Sequence, residues 1–218
     1  MEISYLGHSS FKIRTKSASV VTDPFDPGMI GLKFPPIEGD IVTISHDHGD
    51  HNNTGKVTGT KKVITGPGEY EVSGVSILGY GSFHDDKKGE ERGKNTIYVI
   101  EAEGLRLAHL GDLGHELSDD LVNEMGTIDI LMVPTGGVYT IGSKEASEVV
   151  SKIDPYFVIP MHYKVPGLTL AGAEKMEGVG VFVKEVGLSS ENLPKFSIKK
   201  DDILEDQNAK VIVLNGAR

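Results

Sequence analysis

The sequence predicts a mixed α/β fold (α+β in some schemes) in which sheets carry helices on their outer faces. Three observations point there. Short runs of β-branched and aromatic residues recur along the chain, cut apart by 27 glycines. Helical periodicity is sparse and falls mainly in the second half. Strands and helices also lack strict alternation, which segregates the helices onto outer faces.

Taken in order, strands are expected at Ile3–Leu6, Ser10–Arg14 and Ser19–Thr22, then at Ile41–Ser45, Lys62–Ile64, Tyr70–Val72 and Val75–Tyr80. Thr96–Ile100 and Leu105–Leu110 flank Glu103-Gly104, which reads as a hairpin turn. Further strands are expected at Ile130–Val133, Tyr156–Ile159, Val181–Val183 and Val211–Leu214. One helix starts after the N-cap Ser118 and stops at Gly126. A second starts at Ser143, places Ala146, Val149, Val150 and Ile153 at helical spacing, and ends at Asp154-Pro155. Leu168–Met176 is a third. The charged run Asp85 to Lys94 reads as a solvated loop. With no repeat, coiled coil or linker in view, residues 1–218 are read as a single domain.

Composition narrows the function. A formal net charge of −10 disfavours nucleic-acid partners, because binding a polyanion needs basic clusters. The absence of cysteine excludes disulfides and thiolate ligands, so any metal must be held by N and O donors. The N-terminus shows no positively charged leader, and no apolar stretch nears the roughly 18–20 residues that span a bilayer. A cytoplasmic location and no membrane partner are therefore expected. A homo-oligomer stays open.

The most informative segment is His46-Asp47-His48-Gly49-Asp50-His51, directly after the apolar run Ile41–Ser45. A strand ends and four metal-ligand side chains leave on one loop. Neutral imidazole and carboxylate suit zinc, and with less preference manganese or iron. Three more candidates lie at later strand ends: His84, Asp112 and His162.

This series resembles the metallo-β-lactamase superfamily: His-x-His-x-Asp-His, a single His, a Gly-Asp and a final His. The resemblance runs from Thr22-Asp23-Pro24 to Pro160-Met161-His162-Tyr163. It implies a four-layer αββα sandwich of two mixed sheets. Leu6-Gly7-His8-Ser9-Ser10, His109-Leu110-Gly111-Asp112-Leu113-Gly114-His115 and Pro134-Thr135-Gly136-Gly137-Val138-Tyr139-Thr140 look like the branch of ascorbate-phosphate lactonases and N-acyl-phosphatidylethanolamine phospholipase D. Carried over residue by residue, His46, His48 and His84 hold one metal ion, Asp50, His51 and His162 hold the second, and Asp112 bridges. Asp23 is the partner of a ligand histidine. The implied cofactor is two divalent ions, zinc first, with manganese or iron as alternatives.

The resemblance implies a hydrolase that uses a metal-bridging hydroxide on an ester, lactone or phosphodiester of a small anionic molecule, with Asp50 orienting the hydroxide and passing on its proton. His8, His115, Tyr139, Lys164 and Arg92 are candidates for supporting the site or touching substrate. His109 is in phase with its strand and reads as structural. Two alternatives stand: a phosphodiesterase acting on lipid headgroups, and a metal-binding or sensing module with little turnover.

Overall fold

The computed structural model describes residues 1–204 and 207–216. The strands begin with β1 (Glu2–Gly7), β2 (Ser10–Arg14), β3 (Ser19–Thr22), β4 (Ile37–Glu38) and β5 (Ile41–Ile44). They continue with β6 (Val57–Thr58), β7 (Lys62–Thr65), β8 (Gly68–Val72), β9 (Val75–Phe83), β10 (Lys94–Ala102) and β11 (Leu105–His109). The last are β12 (Ile130–Pro134), β13 (Phe157–Met161), β14 (Ser189–Leu193), β15 (Phe196–Ser197) and β16 (Lys210–Leu214). Among the described residues four α-helices accompany them: α1 (Pro27–Ile30), α2 (Asp119–Met125), α3 (Ser143–Ile153) and α4 (Val179–Val186).

A six-stranded sheet in the order β15-β1-β2-β3-β5-β7 faces an eight-stranded one in the order β14-β16-β13-β12-β11-β10-β9-β8. The main core fills the space between them, with Phe11, Ile13, Ile41 and Ile64 from one sheet and Ile77, Tyr98, Leu107 and Ile159 from the other. Each such side chain contributes roughly 1.5–3 kcal/mol by leaving water. A second cluster lies on the outer face of the larger sheet, where Met125 of α2, Val149 of α3 and Phe182 of α4 pack on Ile97, Leu131 and Val158. The outer face of the smaller sheet has a thinner cover. Val21, Val42 and Ile44 there meet Phe34 of the preceding loop, Ile37 of β4 and Val57 of β6. The sandwich is thus the expected αββα arrangement with one thin outer layer.

Local chemistry explains the elements. At the β10–β11 turn, Glu103 and Gly104 both take positive φ (57° and 74°), as a two-residue hairpin requires. Ser118 Oγ accepts from Leu121 N–H at the start of α2, and Glu145 Oε2 accepts from Gly142 N–H at the start of α3. Two expectations are corrected. Val181–Val183 is not a strand but part of α4, because Val179, Phe182, Val183 and Val186 recur at three- and four-residue spacing and pack as one stripe. Leu168–Met176 is not an α-helix; only Ala173–Lys175 makes a 3-10 turn, after Gly172 at φ 80°. Among the described residues no helix is long and apolar enough to cross a membrane.

Topology sets the site. β3, β5 and β7 run parallel, as do β11, β12 and β13, and β1 and β9 point the same way as β3 and β11 in their own sheets. Their exits therefore gather at one edge of the sandwich. Cross-sheet bonds lock that edge: His162 N–H donates to His8 O (2.9 Å), Thr96 N–H to Ser45 O (2.8 Å), and Tyr98 O–H to Ile44 O (2.8 Å).

Candidate metal centre

Each ligand-type residue follows one of those strands. His8 leaves β1, Asp23 leaves β3, and His46, His48, Asp50 and His51 leave β5. His84 leaves β9, Asp112 leaves β11, and His162 leaves β13. Close packing of these loops depends on glycines at two points. A Cβ on Gly114 would lie 2.3 Å from the His84 carbonyl carbon, and one on Gly136 would lie 2.2 Å from the His162 carbonyl oxygen. His8, Asp23 and His162 themselves adopt positive φ (56°, 38° and 49°), a conformation that costs a non-glycine residue roughly 1–2 kcal/mol.

The structure brings all seven expected ligands together. Asp112 is central: its Oδ2 lies 3.2 Å from His51 Nε2, 3.2 Å from His162 Nε2, 3.3 Å from His84 Nε2 and 3.9 Å from His46 Nε2. The donors around it fall into two main groups, His46, His48 and His84 on one side and Asp50, His51, His162 and His8 on the other. All of these are buried except His48.

Asp23 sets the tautomers. Its Oδ2 accepts from His51 Nδ1–H (3.0 Å) and from Ser45 Oγ–H (2.6 Å), and Ser45 Oγ in turn accepts from His46 Nδ1–H (2.9 Å). Both histidines are left with a bare Nε2 lone pair facing Asp112. Those two Nε2 atoms, Asp112 Oδ1 and both ring nitrogens of His162 are buried without a hydrogen-bond partner among the described residues. Leaving such atoms unpaired costs about 1–3 kcal/mol each, so a cluster of them fits a site built for cations.

The charge states agree with that fit. Burial drives His46 down to about 3 and lowers His84 as well, so both imidazoles are neutral donors at physiological pH. For Asp112 burial works against ionisation, but the His162 and His51 rings outweigh it and hold the carboxyl well below its usual range. Burial likewise opposes a charge on His51, but Asp112 and Asp23 raise it well above the usual imidazole value, so this ring gives up a proton when an ion takes the proton's place. Asp50, like Asp112, is depressed: burial opposes, while the His8 hydrogen bond (Nε2 to Oδ2, 3.2 Å) and the His51 ring prevail. Carboxylates and neutral imidazoles are what a hard or borderline divalent ion takes.

The family model for the beta-lactamase superfamily domain matches residues 2–162, which contain the whole donor set. The chain belongs to the metallo-β-lactamase superfamily. A metal-dependent hydrolase of Thermococcus onnurineus is 33% identical over 190 residues, covering 75% of this chain and 84% of the relative. A crystal structure from Thermotoga maritima, described as a Zn-dependent hydrolase of the metallo-beta-lactamase superfamily, superposes with a TM-score of 0.77 at 36% identity, covering 98% of this chain and 99% of that one. A metallo hydrolase of Ignicoccus hospitalis shares the fold at a TM-score of 0.65 and 21% identity, covering 85% of this chain and 90% of its own. The chain is thus a metal-dependent hydrolase of the superfamily.

The remaining candidates scatter. His8 joins the cluster through Asp50 and packs against His162, with ring centroids 4.2 Å apart and the planes tilted by 43°. His115 is not brought to the cluster; its Nε2 accepts from Phe83 N–H and its Nδ1–H donates to Glu116 O, bracing the end of β9. Lys164 donates to Glu174 O on the exposed surface. Tyr139 packs beneath the Arg92 guanidinium, 5.8 Å from Cζ to ring centroid. His109 is structural, as expected, donating from Nε2 to Ser9 O.

Sequence reasoning missed three contributors. Ser45 relays between Asp23 and His46, and its place just before the first ligand was the available signal. Asn95 accepts from Asp112 N–H at 3.0 Å and donates to Leu110 O, fixing the Asp112 loop. The run 85–94 is a largely exposed loop, as expected, but Asp85 within it is buried, and its carboxylate accepts four backbone N–H groups of that loop, from Lys87, Gly89, Glu91 and Arg92.

Proposed function

We propose that the centre holds two divalent ions and hydrolyses an ester, lactone or phosphodiester bond of a small anionic molecule. The observation that carries this reading is the single oxygen, Asp112 Oδ2, set between two groups of donors. His46, His48 and His84 would hold one ion, Asp50, His51 and His162 the other, with Asp112 shared. Zinc is the first choice for five imidazoles and two carboxylates, with manganese or iron as alternatives. When bound, two such ions lower the pKa of water from about 16 towards 7 and polarise the scissile bond.

The protein's own residues do the rest. Asp50 engages His8 through Oδ2, which leaves Oδ1 to take the proton of the attacking water and deliver it to the leaving group. Asp23, acting directly and through Ser45, keeps His51 and His46 in the tautomers that expose Nε2. The donor cluster sits at the end of a cavity, so the site is open to a substrate on the His48 side.

One observation favours the lipid-headgroup alternative: a cavity of about 620 Å³ beside His8, walled by Leu6, Leu32, Val165, Val179 and Val213. Liposome sedimentation separates the two readings, since clear binding supports the lipid substrate.

The hydrolase reading is tested with metal-loaded protein on a generic phosphodiester, an aryl ester and a lactone. Turnover that falls by roughly 100-fold or more in Asp50→Ala supports it, the size expected for loss of a proton-transferring group. Equal, near-zero rates in parent and variant favour the sensing module instead.

A further inference from the structure

Beside His46 and His48 opens a cavity of about 800 Å³, far more than the donor cluster itself needs. Ile44, Val63 and Pro67 give it an apolar wall, and Arg92 and Lys94 stand on the rim. In a chain of net charge −10, carboxylates are plentiful. Lys87, Arg106 and Lys200 each have one as a partner. Arg92 and Lys94 have none within 4.0 Å among the described residues.

Arg92 is not a loose surface side chain. Its backbone N–H donates to Asp85 Oδ2 at 2.7 Å, within the buried carboxylate clamp that begins one residue after His84. Its guanidinium lies over the Tyr139 ring and gives a single hydrogen bond, from Nη2 to Val138 O at 3.2 Å. Of the five N–H donors a guanidinium carries, most remain unused. The group is therefore fixed at both ends, has no counter-ion among the described residues, and borders the cavity that leads to His46 and His48. A planar fork held in that way matches a carboxylate or phosphate bidentately.

We propose that this cavity holds the part of the substrate remote from the scissile bond, and that Arg92, with Lys94 beside it, binds a second anionic group there. The substrate class is a bifunctional anion: a hydrolysable ester, lactone or phosphodiester at one end and a carboxylate or phosphate at the other. The apolar wall takes the short spacer between them. For the reacting end alone, this proposal rests on the two-metal reading.

Titration calorimetry on the zinc-loaded protein tests it without turnover. Succinate, glutarate and adipate are compared with butyrate, which offers one carboxylate only, and 3-phosphonopropionate tells whether the rim group prefers phosphate to carboxylate. At least one dianion should bind about 10-fold or more tightly than butyrate, the gain expected of one added charge-assisted contact. In Arg92→Ala that preference should vanish, and Arg92→Lys, a point charge in place of a fork, should keep part of it.

Three results overturn the proposal: no dianion preference in the parent, a preference retained in Arg92→Ala, or equal weakening of butyrate and dianions in that variant. The metal content of the same samples separates the two claims. Two ions per chain with no role for Arg92 sinks this inference alone. An Arg92-dependent preference in protein that holds one ion sinks the two-metal reading instead.

Discussion

The two halves of the donor cluster are built differently. Asp50, His51 and His162 are buried, and they are tied to the fold by Asp23, His8 and the backbone bond between His162 and His8. In the other half, His46 and His48 border the large cavity, and His48 is the exposed member of the set. The difference teaches that one half is braced throughout before any ion arrives, whereas in the other the buried His46 is held through Ser45 and the exposed His48 is the face a substrate meets.

The largest effect is expected where the halves join. Asp112→Asn should bring the ion count close to zero and cut hydrolysis by roughly 1,000-fold, about 4 kcal/mol of barrier. Elemental analysis and steady-state kinetics on the same preparation check it.

Next comes the brace. Asp23→Ala leaves Ser45 N, Ser45 Oγ and His51 Nδ1 without their acceptor. Metal-free protein should lose about 3 kcal/mol in urea unfolding, and ion affinity should fall roughly 10- to 100-fold. Unchanged metal-free stability would break the comparison.

His48→Ala probes the open face. One ion should be lost while metal-free stability stays within about 0.5 kcal/mol of the parent, as for an exposed substitution. A large unfolding shift would show that this half is braced too.

The smallest effect lies away from both halves, at Asp40. Its hydrogen bond from Lys61, then that from the Ser19 N–H, lower the carboxyl to about 2. Folding thus favours the ionised form. The resulting stability is present above the unfolded carboxylate value of about 3.9 and fades as pH falls towards 2. Asp40→Asn should cost about 1 kcal/mol at neutral pH, since the group is half-exposed, and nothing near pH 2. Urea unfolding across pH reads this, with ion content unchanged.

Much of this was legible in the chain. The ligand series stood out because each member closes an apolar run, and strand exits on one edge of a sandwich converge. The Glu103-Gly104 turn was legible because few residues accept two successive positive φ angles. Val181–Val183 was not, because a run of valines satisfies both strand propensity and the helical stripe of α4; only packing against Phe182's neighbours decides. The roles of Asp85 and Asn95 were hidden for a related reason. Each acts through backbone groups distant in sequence or folded back on itself, and residue identity alone carries no trace of that geometry.

The central claim is that two ions share Asp112. Anomalous X-ray scattering from crystals of zinc-loaded protein tests it most directly. Two peaks flanking Asp112, one beside His46, His48 and His84 and one beside Asp50, His51 and His162, are the predicted result. A single peak, or ions bound away from Asp112, would contradict it.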